Sequence, residues 1–151
     1  MKLAEALILR ADLQKRISEL KDRLLRSAKI QEGEEPYENP DILLKELDSL
    51  ITNLTDIVQR VNKVNSSVLI DNDETISDYL AKRDALKLKR SMIAALIDGA
   101  TTKFDRYSRS EVKIFSTVNI SDLQKKADDL AAEYRRIDTI IQEYNWLTDF
   151  K

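Results

Sequence analysis

Apolar residues recur three and four apart in four long segments of the chain, the spacing of helices that pack along a narrow seam. The first seam runs Leu3, Ala6, Arg10, Leu13, Ile17, Leu20 and Leu24, and the second Leu43, Leu47, Leu50, Leu54, Ile57, Val61 and Val64. The third reads Ile76, Tyr79, Arg83, Leu86, Arg90, Ile93 and Ile97. The fourth reads Ile120, Leu123, Ala127, Leu130, Tyr134, Ile137, Ile141 and Tyr144. Seven-residue spacing sustained over four segments predicts a mainly α fold, a bundle of four long heptad-patterned helices forming one domain over residues 1–151.

Local signals predict where these helices begin. Asn39-Pro40 places a capping side chain before a proline at the first helical position. Thr75-Ile76-Ser77-Asp78 and Asn119-Ile120-Ser121-Asp122 resemble capping boxes with Asp in place of Glu. The acidic stretch Gln31-Glu32-Gly33-Glu34-Glu35-Pro36-Tyr37-Glu38 is a solvated connection.

Two other connections have β character. Ser67-Val68-Leu69-Ile70 reads as a short strand entering the turn Asp71-Asn72-Asp73-Glu74. In residues 111–118, Val112, Ile114 and Val118 share one face at period two. A small β hairpin or ribbon is therefore expected in the connections, and the stretch from about residue 100 to 118 is long enough for a crossover.

Two segments are apolar on more than one side. They are Leu3-Ala4 with Ala6-Leu7-Ile8-Leu9 and Ala11, and Met92-Ile93-Ala94-Ala95-Leu96-Ile97. A helix apolar on most sides must be covered on most sides. A homo-oligomer with Leu7, Ile8, Met92 and Leu96 at the subunit contact is the simplest expectation. The alternative is a central helix within one larger core.

Composition narrows the chemistry. The 151 residues include no His and no Cys, which removes the usual general base, disulfides and thiolate or imidazole metal ligands. No cofactor is implied. Twenty-five basic and 27 acidic residues leave a net charge of −2, so no global field favours nucleic acid. No run approaches the ~20 apolar residues of a membrane span. Ala6–Leu9 is too short for the hydrophobic region of a signal peptide, so a cytoplasmic protein is expected.

Three polar groupings could carry function. Arg106, Arg109 and Lys113, with Tyr107 between them, could clamp an anion, or the arginines could bridge acidic residues at a helix end. Arg10, Arg83 and Arg90 stand at seam positions that favour aliphatic side chains. Each must find a carboxylate or reach solvent, and they could otherwise line a polar channel. Among the carboxylates, Glu19-x-x-Asp22 lacks a facing pair and Asp128-Asp129 diverge, which leaves little basis for Mg²⁺-dependent phosphate chemistry. Trp146 and Phe150 are expected to anchor the C-terminal tail.

Several blocks resemble a known family: Met1-Lys2-Leu3-Ala4-Glu5-Ala6-Leu7, Gln31 to Pro36, Arg83-Asp84-Ala85-Leu86, Asp105-Arg106-Tyr107-Ser108-Arg109-Ser110-Glu111, and Gln142-Glu143-Tyr144-Asn145-Trp146. Together they are similar to the septicolysin-like family of small bacterial proteins. A departure is Asp71-Asn72-Asp73, where relatives often carry Asp-Gly. The resemblance implies a small helical bacterial protein without an assigned biochemical role, and the family label implies a pore-forming cytolysin. From the residues themselves, the preferred reading is a non-enzymatic, self-associating helical protein, with another protein or an anion as the further partner to expect. A cytolysin and a metal-dependent phosphohydrolase are the alternatives.

Overall fold

A computed structural model describes residues 1–101 and 112–151. Four helices account for most of them: α1 (Leu3–Arg26), α2 (Pro40–Ser67), α3 (Ile76–Ala100) and α4 (Ile120–Leu147). The chain divides into two compact units, one formed by Met1–Ile76 with Gln142–Lys151 and the other by Ser77–Ile141.

In the first unit, α1 packs against α2 along the expected seams. Leu3, Ala6, Leu13 and Leu20 of α1 are buried, as are Leu43, Leu50, Ile57 and Val61 of α2. The start of α2 follows its sequence signal, whereas α1 opens on a cap that the sequence reading did not name. Glu5 Oε2 accepts the Lys2 backbone N–H at 2.6 Å, closing the start of α1. Asn39 Oδ1 accepts the Asp41 N–H at 2.9 Å, with Pro40 opening α2. The intervening connection turns at Gly33, whose φ of +85° lies where only glycine is unstrained. It is tied down by Arg23, whose guanidinium donates to both carboxylate oxygens of Glu38 (2.6 and 3.0 Å) and reaches Glu46 at 3.4 Å.

The chain ends meet in this unit. Leu3 N–H donates to the Thr148 carbonyl and Phe150 N–H to that of Met1, flanking a Lys2–Asp149 bridge. Phe150 is buried with the Arg60 guanidinium 4.5 Å from its ring centre. Trp146, expected to share that role, is 55% exposed. Phe150 alone of the two is an anchor, because the bridge turns the tail inward only after the helix ends.

Among the described residues, the expected β ribbon is not formed. After α2, only Leu69 and Thr75 pair, as an isolated bridge around a turn in which Asp71 Oδ1 accepts the N–H groups of Asp73 and Glu74. Helix α2 absorbs residues up to Ser67, leaving too little chain for a strand, and Tyr144 Oη caps the Ile70 carbonyl at 2.8 Å. Residues 112–119 contain no strand either. Of the period-two face, Val112 and Ile114 are each more than three-quarters exposed, and Val118, beside the start of α4, is half-buried.

In the second unit, α3 and α4 are joined by an ion pair between Arg83 and Asp138. Asn119 caps α4 by accepting the Asp122 N–H at 3.1 Å. Leu123, Ala131, Ile137 and Ile141 of α4 are buried, whereas none of residues 77–100 on α3 is.

Candidate interaction surface

That shortage of buried residues follows from how α3 distributes its apolar side chains. Its first seam, with Tyr79, Arg83, Leu86, Ile93 and Ile97, is half-buried. A second set, Ala81, Ala85, Leu88, Met92, Ala95 and Gly99, repeats at four, three, four, three and four residues, and all six are exposed. At 3.6 residues per turn the two sets lie on roughly opposite sides of the helix. Leu88 and Met92 are each 66% exposed, and Leu96, beside them, is 44% exposed. Polar residues border this outer seam on both sides, with Lys82 and Lys89 on one flank and Asp84, Ser91 and Asp98 on the other. The result is a helix with two apolar stripes and one of them open to water.

A groove of about 380 Å³ adjoins the outer seam, lined by Lys82, Ala85, Leu86, Lys89, Glu133, Arg136 and Ile137. Arg136 donates to both oxygens of Glu133, at 2.6 and 3.0 Å. That bidentate hydrogen bond holds the Glu133 carboxyl below its ordinary range and raises the Arg136 guanidinium. Glu133 is thereby committed to Arg136, leaving a groove with three cationic side chains and one carboxylate.

The residues singled out from sequence fall in different places. Met92 and Leu96 lie on the outer face of α3. In the other unit Ile8 is 61% exposed and Leu7 half-buried. Arg83 meets Asp138, Arg90 is exposed, and Arg10 is half-buried without an ion pair among the described residues. Arg106, Tyr107 and Arg109 lie outside the described residues, and Lys113 is exposed. Sequence reasoning singled out Met92 and Leu96, both exposed here, but not Leu88 or the regular seam containing it. The signal was present as a second heptad register, offset by two residues from the first.

A family model described as a family of unknown function (DUF6847) matches residues 10–150. The chain belongs to this family. It is 46% identical to a functionally unknown conserved protein from Corynebacterium diphtheriae, whose crystal structure matches with a TM-score of 0.92. That match covers 100% of this chain and 99% of the other. No curated protein matches. Neither description assigns an activity. Among the described residues, no helix is long and apolar enough to cross a membrane.

Proposed function

We propose that this DUF6847 protein is a non-enzymatic helical protein that works by assembling with itself through the outer face of α3. The observation carrying this reading is the exposed seam of Ala81, Ala85, Leu88, Met92, Ala95 and Gly99. A solvent-facing stripe with the same heptad spacing as a packed one suits a helix that receives a second helix. Its small residues, Ala81, Ala85, Ala95 and Gly99, let another backbone come near, while Leu88 and Met92 supply the apolar area.

Magnitudes set the strength of this contact. Covering Leu88, Met92 and Leu96 in two copies contributes on the order of 6–12 kcal/mol. Lost translational and rotational freedom opposes it by about 4–15 kcal/mol. The balance describes a reversible, concentration-dependent pair rather than a permanent one. Pairing fits the exposure of Met92 and Leu96 better than a central buried helix, which would leave neither side chain in water.

The test is a variant carrying Leu88→Asp with Met92→Asp. It should elute as a monomer at concentrations where the native chain is larger, with an unchanged helical circular dichroism spectrum. Unchanged elution of both proteins at the larger size would reject the outer seam as the contact.

A further inference from the structure

We infer that two copies pair in parallel and in register along α3, with Asp84 of each copy facing Lys89 of its partner. This rests on the proposed self-association and adds the direction of the contact. The outer seam assigns flanking positions unambiguously. With Ala81, Leu88 and Ala95 at one core position of the heptad and Ala85, Met92 and Gly99 at the other, Lys82 and Lys89 fall on one flank. Asp84, Ser91 and Asp98 fall on the opposite flank.

In a parallel pair each flank meets the other flank of the partner helix, five residues further on. Asp84 then meets Lys89, twice by symmetry, and Ser91 meets the aliphatic Leu96. In an antiparallel pair each flank meets its own kind. Lysines would face lysines and aspartates would face aspartates, at a cost in both rows. Asp84 and Lys89 are both exposed and make no ion pair within the chain among the described residues, so each is free to meet a partner. Lys89 also lines the groove, where Glu133 is already bound to Arg136. A carboxylate arriving from a second copy therefore meets an uncommitted cation.

Absence of cysteine from the chain makes direction measurable. Ala81→Cys and Ala95→Cys are prepared separately and oxidised at a concentration where the native protein associates, with Ala28→Cys, on an exposed position off the seam, as background. Parallel pairing links each seam variant to itself and raises disulfide dimer well above background in both. Linkage only when the two variants are mixed would show an antiparallel pair and overturn the inference while leaving self-association intact. Seam variants that retain the associated mass without crosslinking in either experiment would also overturn it. A native chain that stays monomeric would remove the underlying reading as well.

Charge reversal gives an independent sign. Asp84→Lys should weaken association roughly threefold to tenfold, and adding Lys89→Asp should restore it. Tighter association of Asp84→Lys alone contradicts the parallel arrangement, because only an antiparallel pair is relieved by that change.

Discussion

Arg83 of α3 donates to Asp138 of α4 at 2.8 Å, so the guanidinium that interrupts the first seam of α3 is answered by a carboxylate on the facing helix. Both side chains are partly shielded, at 25% and 34% exposure. Intermediate burial places the pair between a surface ion pair, worth little, and a buried one whose disruption is severe. Arg83→Ala should lower stability by about 1–2 kcal/mol. The joint Arg83→Leu, Asp138→Leu change should cost less than Arg83→Ala, since no charge is then left without its partner. Urea unfolding of the single and double variants measures this.

The strap between α1 and α2 should respond to acid. The Arg23 guanidinium, bonded to both Glu38 oxygens, holds that carboxyl below its ordinary value of 4.5. A group whose folded pKa is lowered stabilises fully above its unfolded pKa, and the effect is lost as pH falls through the folded value. Glu38→Gln should therefore be less stable than the native chain by a constant amount above about pH 5.5. The difference should shrink progressively below 4.5. Thermal unfolding of both proteins from pH 3 to 7 reads the convergence.

At the start of α2, the Asn39 side chain satisfies an N–H that the helix leaves open. Asn39→Ala should cost about 1 kcal/mol, and Asn39→Asp should cost much less because it keeps the acceptor. Chemical denaturation midpoints at neutral pH separate the two.

Phe150 closes the first unit from the C-terminal side, buried beneath Arg60 and held by its backbone bond to Met1. Phe150→Ala should destabilise by about 3–5 kcal/mol and increase amide exchange at Leu3 as the end-to-end contact loosens. Trp146→Ala should change stability far less, given its exposure.

These results separate what a sequence pattern conveys from what it hides. The inner seams were legible because burial and heptad period agree. From Leu3 to Leu24 and from Leu43 to Val64, every seam position is buried or half-buried. Caps at Asn39 and Asn119 were legible because a short acceptor side chain before a helix has one dominant use. The β-branched run ending at Val118 misled because strand propensity requires a partner strand, and no sequence signal supplied one. Exposed Met92 and Leu96 could be suspected from an unusually apolar segment. Leu88 was hidden because scanning for one stripe per helix assigns the remaining apolar residues to noise. Its neighbours at the seam are mostly alanine, whose small side chains barely mark a face.

The central claim, assembly through α3, is tested most directly by light scattering on the native chain over a hundredfold range of concentration. A mass rising from 17.4 kDa toward twice that value, and held at the monomer value throughout in the Leu88→Asp, Met92→Asp variant, is the result expected here. A native mass fixed at 17.4 kDa across the whole range would contradict it.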